Sequence, residues 1–208
     1  MRVKICGIND PAGMAACIAA GVDLVGFNFF TPSPRSVTPA QAAALAAPGP
    51  RKVGLFVDAE DARIAEVLAA LPLDILQLHG EETPGRCAAI RARFGLPVMK
   101  VLGIATPADL DHLAGYAPVV DVFLLDAKAP PGAALPGGNA TPFDWTLLAG
   151  RAIPRPWLLA GGLTPANVAQ AIAASGAPGV DVASGVEGAR GVKDPARIAA
   201  FVAAARAA

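Results

Sequence analysis

The segment Lys4-Ile5-Cys6-Gly7-Ile8 places a thiol where an apolar opening run, residues 3–5, gives way to a glycine turn. A helix start follows at Asp10-Pro11. In a parallel α/β protein, the edge where strands end is where chemistry is done. A thiolate there could take a proton from carbon or attack a carbonyl. The alternative is a small buried hydrophobe, the commonest role of a free cysteine. Cys17 and Cys87 fit that second role, since both sit inside helical patterns. Cys6 fits it less well, beside a glycine at a strand end. A thiol's reference pKa of about 8.5 needs only modest lowering to give a base near neutrality. Lys4, two residues back on the same strand face, is placed to lower it.

A second candidate is Asp126, which ends the run Val122-Phe123-Leu124-Leu125-Asp126. A carboxylate there is partly desolvated, and desolvation raises a carboxyl pKa towards the range of a general acid. Capping the following loop is an equal alternative. Arg35, in Thr31-Pro32-Ser33-Pro34-Arg35-Ser36, offers a fixed cation with a planar fork suited to a carboxylate, and its rigid lead-in favours an ordered role. His79, in Gln77-Leu78-His79-Gly80, could contact substrate or satisfy a loop backbone, the second being favoured, and His112 is expected on the surface of a helical segment. Two late glycine loops, Leu159-Ala160-Gly161-Gly162 and Asp181-Val182-Ala183-Ser184-Gly185, precede helix starts or end strands. Glycine lets the backbone approach an anion, and free N–H groups can hold it. In barrels such loops after strands seven and eight commonly form a phosphate site.

These residues need a frame to position them. A Thr or Asp followed by Pro recurs at Asp10-Pro11, Thr38-Pro39, Thr83-Pro84, Thr106-Pro107, Thr164-Pro165 and Asp194-Pro195. Each pairs an N-cap oxygen with a proline at the first helical position, and so predicts a helix start. Short apolar runs precede them, at residues 3–5, 24–29, 53–57, 75–78, 98–102, 119–125, 157–159 and 180–183. Such runs suit strands covered on both faces. The strand–helix unit recurs about every 25 residues, and alternation of this kind predicts a parallel sheet. Eight units point to a closed (β/α)₈ barrel over residues 1–208, with no linker that would divide it. An open doubly wound sheet is the alternative, but no GxGxxG follows the first strand. Chain direction then sorts the acids. Asp23, Asp74 and Asp121 precede their strands, at the stability face, whereas Asp58 and Asp126 follow theirs, at the catalytic face. The Pro/Gly-rich stretch 129–142 reads as a functional loop after the sixth strand.

Composition narrows the class. Seventeen basic and 17 acidic side chains cancel, which argues against nucleic acid or an anionic membrane as partner. No secretory leader or apolar span is expected, because Asn9, Asp10 and Pro11 interrupt the start and prolines break the longest uncharged stretch. Three cysteines without CxxC spacing and two histidines predict neither a disulfide framework nor a metal site, and make a reducing cytoplasm the default.

The chain resembles the phosphoribosylanthranilate isomerase family of tryptophan biosynthesis, nearly end to end. The resemblance runs through Lys4-Ile5-Cys6-Gly7, Ser33-Pro34-Arg35, Val53-Gly54-Leu55-Phe56-Val57, Gln77-Leu78-His79-Gly80 and Leu124-Leu125-Asp126. It continues in Phe143-Asp144-Trp145, Leu159-Ala160-Gly161-Gly162-Leu163, Gly179-Val180-Asp181-Val182, Ser184-Gly185-Val186-Glu187 and Gly191-Val192-Lys193-Asp194. It implies a ribulose-phosphate-binding barrel that performs an Amadori rearrangement on a small phosphorylated substrate, with no cofactor, as a monomer or homodimer. It further implies that Asp126 protonates the furanose oxygen and that Cys6, as thiolate, removes the proton from sugar C2. Arg35 would hold the anthranilate carboxylate, the backbones of Gly161, Gly162, Ala183 and Ser184 the phosphate, and Asp181 would touch substrate from inside the barrel. Two departures stand out. Gly137-Gly138-Asn139-Ala140-Thr141-Pro142 replaces a Gly-Thr-Gly or Gly-Ser-Gly run, and Ala183 stands where serine is common. Other phosphate-binding barrel enzymes would show a catalytic lysine or paired aspartates at the strand ends. A barrel kept only as a scaffold would lack Cys6 or Asp126.

Overall fold

Eight parallel strands close into a barrel in chain order, β1 pairing with both β2 and β8. The computed structural model describes residues 1–129 and 142–208. The strands are β1 (Arg2–Cys6), β2 (Leu24–Asn28), β3 (Arg51–Phe56), β4 (Ile75–Leu78), β5 (Val98–Ile104), β6 (Val122–Ala127), β7 (Trp157–Leu159) and β8 (Gly179–Val182). All eight expected runs therefore become strands, with ends shifted by up to three residues. The largest shift is in β6, where Val119 and Val120 instead turn back to donate to the Tyr116 carbonyl. The open-sheet alternative falls with the β1–β8 pairing, whose register sets Lys4 opposite Asp181.

The helices between strands are α1 (Pro11–Ala19), α2 (Pro39–Leu45), α3 (Asp61–Ala70), α4 (Pro84–Phe94), α5 (Leu113–Tyr116), α6 (Val168–Ser175) and α7 (Pro195–Ala207). Four Thr/Asp-Pro pairs cap as expected: Asp10, Thr38, Thr83 and Asp194 each accept from N–H groups of the first helical turn. Two differ. Thr106-Pro107 opens a 3₁₀ turn, Pro107–His112, which leads into α5. Thr164-Pro165 opens an isolated turn, and α6 begins at Val168. There the Asn167 side chain accepts from Thr164 N–H at 2.7 Å and donates to the Gly162 carbonyl at 3.0 Å. It competes with the helix for the backbone. Among the described residues no helix is long and apolar enough to cross a membrane.

Strand residues alternate between two cores. Outward-facing Val3, Phe27, Phe123 and Val180 pack with Ile64, Cys87, Phe201 and their neighbours in the helix layer, all buried. Inward-facing Leu24, Val53, Ile75, Met99, Leu124 and Leu158 fill the barrel. Cys17 and Cys87 lie in the outer core, as expected. The three acids ahead of strands brace the stability face. Asp23, Asp74 and Asp121 accept from the backbone N–H of Val3, Lys52 and Val98, each on the preceding strand, at 2.8, 2.7 and 2.9 Å. Beyond β8 a short hairpin, β9 (Glu187–Ala189) and β10 (Val192–Lys193), folds over the catalytic end.

Candidate active site

Above the apolar layers the barrel interior turns polar. Lys4 and Cys6 of β1 point inward by the same alternation that sends Val3 and Ile5 outward, and Asp126 and Asp181 enter from β6 and β8. Lys4 is fully buried, and its Nζ donates to Asp181 Oδ1 at 2.8 Å. Taking an ammonium out of water lowers its pKa, but Asp181 and the Cys6 thiolate outweigh that and raise it above the ordinary value. The lysine is thus a fixed charge at the centre of the barrel.

Cys6 is buried, with its Sγ facing Gly26 of β2, where any side chain would collide with it. Burial pushes its pKa up, and the neighbouring Lys4 and Lys193 only partly offset this. The sequence suggested a thiol lowered by Lys4. Lys4 does act in that direction, but desolvation is larger and Asp181 opposes it.

Asp126 is likewise buried, and one of its oxygens accepts from the Ala127 N–H at 2.8 Å. Desolvation, with a smaller push from Asp181, raises its carboxyl to about 7. The Lys4–Asp181 pair therefore acts on both the thiol and the carboxyl. His79 sits beside Asp126, its Nε2 3.7 Å from Oδ2, while its Nδ1 meets Gln77 Nε2 at 3.2 Å. Burial, then Lys4 and Lys100, lowers the imidazole to about 3, so the approach to Asp126 is between a neutral ring and a carboxyl rather than an ion pair. Among the described residues the His79 side chain bonds no backbone, so the favoured of its two readings fails, and the ring lines the cavity at the barrel mouth. His112 is exposed, as expected, at the end of its 3₁₀ turn. A cavity of about 400 Å³ opens on this side of the mouth, lined by His79, Gly103, His112, Asp126 and Lys128 among others.

Arg35 is buried rather than solvated. Its Nε and Nη2 grip Glu187 Oε1 and Oε2 at 2.6 and 3.0 Å. Its stem runs along Gly7, whose φ of 76° and lack of a side chain make room for it. The two late glycine loops meet. Gly161 and Gly162 take φ values of 89° and 63°, which favour glycine, and Gly161 lies against the end of β6 beside Asp126. Gly185 packs directly on the Leu163 carbonyl, where a Cβ would overlap it. Among the described residues the N–H groups of Gly161, Gly162, Ala183 and Ser184 find no acceptor. Asp58, expected at this face, braces the neighbouring loop after β4: its φ is 46°, and it accepts from Glu81 N–H at 2.8 Å. Most of the stretch 129–142, including residues 137–141 of the departing run, lies outside the described residues.

Sequence reasoning gave no role to two buried ion networks. Glu187 and Lys193 stand in the motifs quoted above, and their conspicuous feature is charge in an apolar setting. Lys100 donates to Glu82 at 2.7 Å and to the Gly80 carbonyl at 2.6 Å, bracing the His79 turn. Nothing local marks that pair, because Lys100 looks like the polar face of a strand.

Comparison with known proteins agrees with this fold. The protein-family model for N-(5'phosphoribosyl)anthranilate (PRA) isomerase matches residues 3–204. A relative named N-(5'-phosphoribosyl)anthranilate isomerase, from Paracoccus denitrificans, is 60% identical over 100% of this chain and 98% of its own length. Two solved structures each cover 100% of both chains with a TM-score of 0.86. One, 34% identical, is of monomers generated from the dimeric enzyme of Thermotoga maritima. The other, 33% identical, is a phosphoribosyl anthranilate isomerase in complex with reduced 1-(o-carboxyphenylamino)-1-deoxyribulose 5-phosphate. With the closed barrel, the buried thiol and carboxyl and the paired glycine loops already in place, this end-to-end match shows that the chain belongs to the N-(5'-phosphoribosyl)anthranilate isomerase family.

Proposed function

We propose that this single barrel domain converts N-(5'-phosphoribosyl)anthranilate to 1-(2-carboxyphenylamino)-1-deoxyribulose 5-phosphate in tryptophan biosynthesis, in the cytoplasm, as a monomer or homodimer. Asp126 is the general acid. A carboxyl near 7 is still protonated in part at neutral pH, and it delivers that proton to the furanose ring oxygen as the C1–O bond breaks. The anthranilate nitrogen's lone pair takes up the cation at C1, so ring opening needs no cofactor. Cys6, as thiolate, then removes the proton from C2, and the resulting enol relaxes to the ketone. Desolvation makes that thiolate scarce but strongly basic, which suits abstraction from carbon, and Lys4 supplies its counter-charge. Arg35 holds the substrate's carboxylate. The N–H groups at Gly161, Gly162, Ala183 and Ser184, without an acceptor among the described residues, hold the phosphate, so the absence of a hydroxyl at Ala183 is tolerated. Asp181 touches the sugar from the barrel interior while keeping Lys4 in place.

The observation that carries this reading is a desolvated carboxyl and a lysine-backed thiol inside one barrel mouth, between a buried arginine and two glycine loops. Cys6→Ala and Asp126→Asn should each lower kcat by about 10²–10⁴-fold, the usual worth of a general acid or base, with the fold intact by circular dichroism. Near-normal turnover in either variant would remove that residue from its role. Complementation of a tryptophan auxotroph lacking this isomerase tests the reaction itself.

A further inference from the structure

Three of the protein's most buried charges lie outside the acid–base chemistry: Arg35, Glu187 and Lys193, each no more than 6% exposed. A guanidinium has five N–H donors. Glu187 engages Arg35 side-on, through Nε at 2.6 Å and Nη2 at 3.0 Å. Among the described residues this leaves Nη1 and the second hydrogen of Nη2 without a partner, and one N–H of each forms the end-on fork that can take a second carboxylate bidentately. The same Glu187 carboxylate also accepts from Gly191 N–H at 2.9 Å and Lys193 Nζ at 3.0 Å. Lys193 Nζ in turn donates to the Ala183 carbonyl at 2.7 Å. One carboxylate therefore joins the loop after β2, the hairpin β9–β10 and the loop after β8.

We infer that Glu187 is a positioning residue for substrate recognition: it turns the end-on fork of Arg35 towards the substrate's carboxylate and, through Lys193, ties that clamp to the backbone that holds the phosphate. The inference rests on the roles proposed above for Arg35 and for the loop at Ala183. The physical reason for the arrangement is preorganisation. An arginine side chain otherwise loses rotamer freedom when it binds, and here the folded protein has already fixed it. The charge count also fits, since two buried cations share one buried anion, leaving the cluster net positive towards an anionic substrate.

The test uses two stable ligands with the full-length protein. One is reduced 1-(o-carboxyphenylamino)-1-deoxyribulose 5-phosphate, and the other its phenylamino counterpart without the carboxyl. Glu187→Gln should weaken the first about tenfold, equivalent to about 1.4 kcal/mol, and the second less than about twofold. Glu187→Asp, which keeps the charge but draws it back from Arg35, should fall between and guards against a failure of the Gln variant to fold. Lys193→Met should weaken both ligands, because both carry the phosphate. Equal losses for the two ligands in Glu187→Gln would reduce Glu187 to a structural support and overturn the inference, as would no loss for either. Arg35→Ala separates the two levels. If it leaves the discrimination between the ligands intact, the carboxylate clamp itself fails; if it abolishes the discrimination while Glu187→Gln does not, only the positioning role fails.

Discussion

Asp126 shows how far one residue's environment departs from what its type suggests. Its carboxyl lies at about 7 because it is buried at the inner face of β6 near Asp181, with only the Ala127 N–H among the described residues to stabilise the anion. The folded protein thus binds this proton more tightly than the unfolded chain, whose aspartate titrates near the ordinary 3.8. Between those values the native state holds more protons than the unfolded state, so stability falls as pH rises from about 4 to 7 and stays reduced above it. Asp126→Asn removes the titration and keeps an oxygen for the Ala127 N–H. Each tenfold difference in proton affinity between the two states is worth about 1.4 kcal/mol. At pH 8 the variant should therefore be more stable than the parent by on the order of a few kcal/mol, and the gain should vanish below about pH 4. Urea melts at the two pH values check this, and a gain that does not change with pH would show that desolvation is not the cause. The same substitution should lower kcat by about 10²–10⁴-fold, as expected of a lost general acid, an exchange of stability for activity at one atom.

The elements were legible from sequence wherever the determining interactions were local. Apolar runs bounded by turns became strands, and four of six Thr/Asp-Pro pairs cap the helices they predict. Thr164-Pro165 failed because a rival local bond from Asn167 wins the backbone. What stayed hidden joins distant parts of the chain. Lys4 meets Asp181 across 177 residues, and Arg35 meets Glu187 across 152, because closure sets β1 beside β8 and lays the last hairpin over the early loops. No periodicity encodes such a pair, so Arg35 read as a loop cation and Lys4 only as a neighbour of the thiol. The late loops carry a further test at this scale. Gly185 has the Leu163 carbonyl where its side chain would be. Gly185→Ala must push the loops after β7 and β8 apart, at a cost of about 1–3 kcal/mol, the usual range for overpacking. If those loops share one phosphate, inhibition by inorganic phosphate should weaken severalfold, while the barrel's circular dichroism is retained. Unchanged phosphate inhibition would mean that the two loops do not act together on the anion.

At the scale of the whole molecule, the closed sheet separates stability from chemistry. The outer core between sheet and helices is apolar apart from the buried Lys100–Glu82 pair, and it draws on every second residue of each strand. The inner face carries an apolar plug at one end and the buried acid, thiol and lysine at the other. A lesion in the outer core therefore removes packing without touching a polar partner of the site. Phe201 is the sharpest case: it is fully buried in α7, and α7 packs on α1 and α6. Phe201→Ala should cost about 3–5 kcal/mol through lost burial and the cavity left behind. The denaturation midpoint should fall accordingly, while kcat per folded molecule stays within about twofold of the parent, well short of the tenfold change that about 1.4 kcal/mol on the barrier would bring. Titrating active sites with the reduced product analogue provides the folded fraction for that comparison. A large drop in kcat at full folding would show that the helix layer, through the strands it supports, helps to set the distance between the acid and the base.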